Sequence, residues 1–223
     1  MLSILDTVLN PQQVQEVLGR LADEAFEDGK NTAGYRAKLV KANEQMKKDA
    51  PGLAANRTLI LDQLRKHPDF RTAAFAKAIR PILISRYRPG MQYGLHVDDP
   101  LMGSDRKNRS DLAMTLFLVQ PESYDGGELY FESPWGAQEV KLPAGSAVIY
   151  PASTLHRVNP VTRGERIAAV TWMESYIRDP AQRELLAELD RIRALLHRSA
   201  PDAVETNLAF KAYANLYRMW AET

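Results

Sequence analysis

His96 and Asp98, two positions apart, together with His156 and Arg166, are side chains that could do chemistry as a set. Two imidazoles and one carboxylate make the 2-His-1-carboxylate arrangement that leaves coordination positions open on a non-heme Fe(II). On an extended strand, residues two apart project to one face. His96 and Asp98 then look the same way and Asp99 looks the other, which assigns Asp98 as the ligand and leaves Asp99 to solvent or a turn. The chain contains no Cys, so any metal here takes nitrogen and oxygen ligands, and disulfides, thiolate sites and a Cys nucleophile are excluded. Arg166 offers a planar fork that grips a carboxylate through two parallel hydrogen bonds. That suits the far end of a dicarboxylic acid whose near end chelates the metal, with Arg157 and Arg163 as rivals for the role. A His-x-Asp triplet is weak by itself, and each of these residues also has an ordinary structural use. His67, before a proline, and His197, inside an amphipathic helix, are expected to be structural.

The surrounding elements must bring these residues together. Ten extended residues span about 33 Å, so His156 and Arg166 meet only if the chain doubles back, which Pro160 and Gly164 permit. Strands are expected from Ile79 to Tyr87 and from Met91 to Val97. More follow at Leu112 to Val119, Gly127 to Glu132, Gln138 to Leu142, Ser146 to Tyr150, Leu155 to Asn159 and Arg166 to Tyr176. Turns separate them at Arg88-Pro89-Gly90, Tyr124-Asp125-Gly126-Gly127, Pro134-Trp135-Gly136, Pro143-Ala144-Gly145 and Arg163-Gly164. Short strands spaced by Gly and Pro, without helices between them, argue for an antiparallel sandwich or barrel. Strand alternation predicts an apolar lining from Leu116, Val148, Val170 and Trp172. Tyr87 and Tyr93 read most simply as core aromatics whose hydroxyls could reach the site.

Upstream, Leu2 to Leu9 reads as a strand, and Asn10-Pro11 starts a helix expected to run to about Phe26 on the stripe Val14, Val17, Leu18 and Leu21. The polar stretch EDGKNTAGYRAKLVKANEQMKKDAPG reads as a loop with one irregular strand at most. Leu53 to Lys77 is helical with a break at His67-Pro68. Beyond Asp179, Leu185, Leu186, Leu189, Ile192 and Leu196 form one helical stripe. Phe210, Tyr213, Tyr217 and Trp220 form a second, packing on the barrel or on another subunit of a homo-oligomer.

The chain has 223 residues, 45% hydrophobic and 26% charged, the balance of an ordinary globular protein of one domain or one domain plus an appendage. Its 29 basic and 28 acidic residues leave a net charge of +1, with no pull toward nucleic acid or an anionic membrane. No apolar run approaches the roughly 20 residues of a membrane span. The N-terminus lacks a basic leader region, and with the missing Cys this gives a cytoplasmic expectation.

The segments FEDGKNTAG, KANEQ, SRYRPGMQYGLHVDD, SDLAMTLFLVQPESYDGGELYFE and VKLPAGSAVIYPASTLHRVNPVTRGERIAAVTWMES, with the following DPAQRELLAELD, resemble over nearly the full length the Fe(II)/2-oxoglutarate-dependent dioxygenases of the prolyl-4-hydroxylase type. Within these they resemble the bacterial PKHD-type hydroxylases of the PiuC group. The resemblance implies an α+β fold with a double-stranded β-helix (jelly-roll, cupin-like) core. Residues 1–77 would supply a strand and supporting helices to the catalytic domain, 78–177 the core, and 178–223 a small helical extension. It implies Fe(II) on His96, Asp98 and His156, and 2-oxoglutarate held by Arg166 with help from Tyr87. L-ascorbate is implied as reductant, with a contextual link to bacterial iron uptake and homeostasis. The implied reaction couples decarboxylation of 2-oxoglutarate to succinate and CO2 with hydroxylation, using O2, of a small molecule or protein side chain, with Tyr93 and Trp172 toward the substrate. Leu95 and Tyr130-Phe131 are bulkier than the pattern and are expected to reshape that pocket. The alternative is a non-oxidising metal-binding jelly roll acting as a binding or sensor protein.

Overall fold

A computed structural model describes residues 2–103, 107–133 and 136–223. Every pairing between its described strands is antiparallel. The larger sheet runs in the order Ser3–Leu5, Ala147–Pro151, Leu112–Phe117, Arg166–Ser175, Leu83–Tyr87, Glu44–Met46 and Phe26–Asp28, with Ala76–Ile79 also pairing on the Arg166–Ser175 strand. The smaller runs Gln138–Val140, Leu129–Phe131, His156–Val158, Gln92–His96 and Lys41–Ala42. The two sheets enclose a common interior, giving the double-stranded β-helix within an α+β chain.

Alternation along Leu112–Phe117 divides the apolar residues between two cores. Leu112, Met114 and Leu116 join Val14, Val17, Leu53, Ile60 and Leu64 under the helices Pro11–Leu18 and Leu53–Lys66. Ala113 and Phe117 turn inward to Tyr87, Val148, Tyr150 and Val158 between the sheets. The first helix begins where expected because Asn10 and Gln13 cap each other reciprocally, at 2.9 and 3.0 Å, with Pro11 in the first turn. It stops at Leu18, short of Phe26, capped by Gly19, whose N–H bonds the carbonyl of Gln15, and Phe26 lies instead in a strand opposite Met46. The break at His67-Pro68 separates Leu53–Lys66 from Phe70–Ala74.

The stretch expected to be mostly loop is the main departure. It supplies strands to both sheets: Lys41–Ala42 pairs with Gln92–His96, and Glu44–Met46 pairs with Leu83–Tyr87. Elsewhere most expected strands form with trimmed ends, but Ile79 to Tyr87 splits into Ala76–Ile79 and Leu83–Tyr87 and the Ser146 strand shifts to Ala147–Pro151; Pro134 and Trp135 of one expected turn lie outside the described residues.

The helices Pro180–Ser199 and Val204–Trp220 follow the last long strand. Leu186 and Tyr213 close over Phe75 and Ile177, and Arg183 donates from one nitrogen to the carbonyls of Ile177 and Arg178 at 2.7 and 2.8 Å. The expected Leu185–Leu196 stripe is too wide: Leu185 and Ile192 are exposed, and the buried positions are Arg183, Leu186 and Ala187. Phe210 is likewise exposed, while Tyr213 is buried. No described helix is long and apolar enough to cross a membrane.

Candidate metal centre

His96 closes the Gln92–His96 strand and lies directly across from His156, the first residue of His156–Val158. Asp98 follows just beyond the strand end, where its N–H reaches the carbonyl of Ala152 at 3.4 Å. Its two carboxylate oxygens lie 4.0 Å from His96 Nε2 and 3.9 Å from His156 Nε2. These gaps are too long for hydrogen bonds. One donor atom from each residue lies within 4.8 Å of the others, so the three could hold a metal ion.

The ring tautomers follow from the backbone. His96 Nδ1 is 2.8 Å from the carbonyl of Gly94, and His156 Nδ1 is 2.8 Å from that of Thr154. A carbonyl only accepts, so each Nδ1 carries a proton and each ring turns its Nε2 toward Asp98. Burial, then the charge of His156, pushes His96 down to about 3, which keeps that ring neutral. Burial also raises the Asp98 carboxyl, with His156 and Trp172 pulling it back. Asp98 Oδ2 is buried without a hydrogen-bond partner. A buried carboxylate with an oxygen that nothing hydrogen-bonds is costly without a cation, and the donor set fits a divalent ion with N and O preference.

A cavity of about 320 Å³ opens from this triad, and His96, Asp98, His156, Tyr87, Tyr93, Arg166 and Trp172 all line it. Arg166 is 1% exposed, its Nε has no partner, and no ion pair reaches it among the described residues. Its guanidinium carbon sits 5.1 Å from the Tyr87 ring centroid and 5.5 Å from that of Phe117. Arg166 and Tyr87 are also register partners on adjacent strands. Burial raises the Tyr87 hydroxyl, and the guanidinium acts in the opposite direction. The GGEL turn makes room for this arginine: a Cβ on Gly127, whose φ is +66°, would lie 3.0 Å from Arg166 Cδ. A buried guanidinium with no carboxylate partner calls for an anionic ligand.

Tyr93 stacks on His96 with centroids 3.6 Å apart and planes 14° apart. Three positions separate them, so a regular strand would point them to opposite faces. The pairing shifts register between Val158↔Tyr93 and His156↔His96, spending one extra residue on the His96 strand. That bulge turns both rings inward. Tyr150 meets His156 edge-on at 5.1 Å. Trp172 lines the cavity with its indole N–H toward the Asp98 carboxyl.

Several expectations are corrected. Leu116 does not line the cavity, because Thr115 is the partner of Val148 and Leu116 therefore faces the helical side. Val148 faces inward but is packed in the inner core away from the cavity wall, whereas Val170 and Trp172 do line it. Leu95 points out, 39% exposed, and neither it nor Tyr130 or Phe131 belongs to the wall. Arg157 lies over Tyr130 and bonds Asn159, and Arg163 pairs with Asp125, so neither rival of Arg166 enters the cavity. His67 bonds the carbonyl of Asp6, and His197 packs on Phe210, both structural uses.

Sequence reasoning missed Lys41, Asn43 and Gln45 on the cavity wall. Their signal was the alternation in KANEQ, three long polar residues at every second position. Burial pushes Lys41 down to about 8, against the pull of Asp28 and Asp98.

The sequence matches the family model of the 2OG-Fe(II) oxygenase superfamily over residues 82–174. It is 48% identical over 224 residues to a PKHD-type hydroxylase of Synechococcus sp. strain JA-2-3B'a(2-13), covering 100% of both chains. To PKHD-type hydroxylases of Maricaulis maris and Synechococcus elongatus it is 46% and 44% identical, again over 100% of each chain. Among solved structures, a Pseudomonas putida prolyl-4-hydroxylase superposes with a TM-score of 0.56 at 20% identity, covering 78% of this chain and 92% of the other. A Trichoplax adhaerens prolyl hydroxylase, solved with a hypoxia inducible factor peptide fragment, gives 0.54 at 13% identity, covering 82% and 86%. These two likenesses bear on the fold.

Proposed function

The chain belongs to the PKHD-type hydroxylases of the 2OG-Fe(II) oxygenase superfamily, and from this premise we propose that His96, Asp98 and His156 hold its Fe(II) while Arg166 and Tyr87 hold its 2-oxoglutarate. It is an Fe(II)- and 2-oxoglutarate-dependent dioxygenase. Bound iron and cosubstrate supply the oxidation: with O2, 2-oxoglutarate is decarboxylated to succinate and CO2, and one oxygen atom enters a substrate C–H bond.

The residues of the chain bind, orient and exclude water. Carbonyls of Gly94 and Thr154 fix the two imidazoles with Nε2 outward, and Asp98 adds one negative charge to the site. Arg166 neutralises the distal carboxylate of the cosubstrate at the buried end of the cavity, with the Tyr87 hydroxyl beside it. Ala113, Leu129, Val158 and Val170 give the wall apolar surface that keeps water from the oxidising centre. Tyr93 and Trp172 face the substrate, a small molecule or a protein side chain whose approach passes the exposed Val97 and Leu101 at the cavity edge. In this reading L-ascorbate keeps the iron reduced, the setting is cytoplasmic, and 178–223 is a helical extension of a 78–177 core that residues 1–77 support.

The observation that carries the proposal is Arg166, wholly buried without an ion pair, in the same cavity as the triad. The test is succinate release from 2-oxoglutarate by Fe(II)-loaded protein under O2, together with cosubstrate binding without O2. Asp98→Ala and Arg166→Ala are expected to lose succinate release, and Arg166→Ala to lose binding. Undiminished 2-oxoglutarate binding by Arg166→Ala would overturn the assignment.

A further inference from the structure

Lys41, Asn43 and Gln45 alternate along the Lys41–Ala42 and Glu44–Met46 strands, are all buried, and all line the cavity. The outer two are engaged. Lys41 Nζ donates to Thr32 Oγ1 at 3.1 Å, the Thr32 hydroxyl donates to Gln45 Oε1, and Gln45 Nε2 donates to Ser85 Oγ at 3.2 Å. Asn43 between them differs. Its carbonyl accepts from the N–H of Gly29 at 2.8 Å, which fixes the main chain, while its side-chain amide makes no well-formed hydrogen bond and has the Tyr87 hydroxyl as its polar neighbour. At 4% exposure this amide is desolvated without full compensation, the situation folded chains avoid. Its placement depends on Gly29: a Cβ there would lie 1.9 Å from Asn43 Oδ1. The oxygen therefore packs on Gly29, leaving Nδ2 to meet a ligand.

The register says which ligand. Glu44 pairs with Arg86 and Gln45 with Ser85, so the next rung sets Asn43 opposite Tyr87. On its other side Tyr87 pairs with Arg166. Directly opposed residues share a face of the sheet, so Asn43, Tyr87 and Arg166 form one row of donors across three strands. The row contains a guanidinium with an unpaired Nε, a phenol and an amide with an unpaired Nδ2. No acidic side chain among the described residues pairs with Arg166.

We propose that Asn43 is a further cosubstrate-binding residue, whose Nδ2 donates to the distal carboxylate of 2-oxoglutarate beside Arg166 and Tyr87. This rests on the assignment of Arg166 as the carboxylate anchor. The test is calorimetric binding to the full chain loaded with Mn(II), which avoids turnover, using 2-oxoglutarate and 2-oxobutanoate, which lacks the distal carboxylate.

Asn43→Ala is expected to weaken 2-oxoglutarate by about tenfold or more, the worth of a hydrogen bond to a charged group, and to leave 2-oxobutanoate unchanged. Asn43→Asp, which sets a carboxylate against a carboxylate, is expected to weaken 2-oxoglutarate further. Thermal unfolding of the ligand-free Asn43→Ala protein, expected close to that of the parent because the amide makes no well-formed hydrogen bond, separates loss of binding from loss of folding. Asn43→Ser serves the same comparison if the alanine variant does not fold. Parent-like 2-oxoglutarate binding in both Asn43 variants, with Arg166→Lys weakened, would overturn the proposal alone. Parent-like binding in Arg166→Lys as well would overturn the anchor beneath it. Equal weakening of both acids would also refute the contact, since Asn43 would then act on the shape of the pocket.

Discussion

His96 and His156 are direct cross-strand partners, and each donates its Nδ1–H to the carbonyl two residues before it, so both Nε2 atoms converge on one carboxylate. Only Asp98 closes this set. Its side chain is 6% exposed, while Asp99 is exposed at the neighbouring position. Asp98→Ala is therefore expected to abolish Mn(II) binding measured by calorimetry, and Asp99→Ala to leave it within about twofold, as surface changes usually do. Retained metal affinity in Asp98→Ala would remove Asp98 from the ligand set.

If His96 is a metal ligand as proposed, Tyr93 acts on the metal through it. The two rings stack at 3.6 Å, so Tyr93 limits the rotation of the imidazole that its Nδ1 bond alone would permit. Tyr93→Phe keeps the stack and is expected to keep metal affinity. Tyr93→Ala frees the ring and is expected to weaken the metal about 10-fold, the lower end of losses seen when a ligand's supporting contact is removed. Equal effects of the two replacements would point to the hydroxyl instead of the ring.

Gly127 is the point where backbone conformation meets the proposed cosubstrate anchor, Arg166. At φ +66° a side chain is strained, and its Cβ would lie 3.0 Å from both Arg166 Cδ and Val161 Cγ2. Gly127→Ala is expected to cost about 1–3 kcal/mol in chemical unfolding and to weaken 2-oxoglutarate by displacing the Arg166 stem. A destabilised variant with parent-like cosubstrate affinity would show that Arg166 tolerates the shift.

The legible parts of the site are those fixed by residue type and turn chemistry. His96, His156 and Arg166 stand on strands bounded by Gly and Pro, with Asp98 just past the end of the first, and period-two alternation located most of those strands. Alternation cannot say which strands are neighbours. Leu116 and Val148 looked equivalent until the Thr115↔Val148 pairing set them on opposite faces. The Tyr93–His96 stack was hidden for a related reason, since it depends on a bulge that breaks the period. Lys41 to Gln45 went unread because strands of two and three residues leave too short a pattern, and because polar residues on an inner face look like a loop. The C-terminal stripe was over-read: a helix packed at one edge buries Leu186 and leaves Leu185 and Ile192 to solvent.

Lys41 gives the chain a pH dependence whose sign can be worked out. The residue is 5% exposed, its amine bonds Thr32, and that amine is lowered from 10.5 to about 8, chiefly by burial. Between those two values the unfolded chain binds more protons than the folded one, so this group makes stability rise with pH across that window. Below pH 8 both states are protonated and the cost of burying the ammonium is felt in full. Lys41→Met removes that cost while keeping the stem. The metal-free variant is therefore expected to be more stable than the parent at pH 7, by up to about 3 kcal/mol. The lost bond to Thr32 offsets part of this, by about 1 kcal/mol. The advantage should shrink as pH rises from 8 toward 10.5. Denaturant unfolding of both proteins at pH 7, 8, 9 and 10 measures the gap. A gap that stays level across that range would mean that the Lys41 ammonium is not desolvated by the cavity wall.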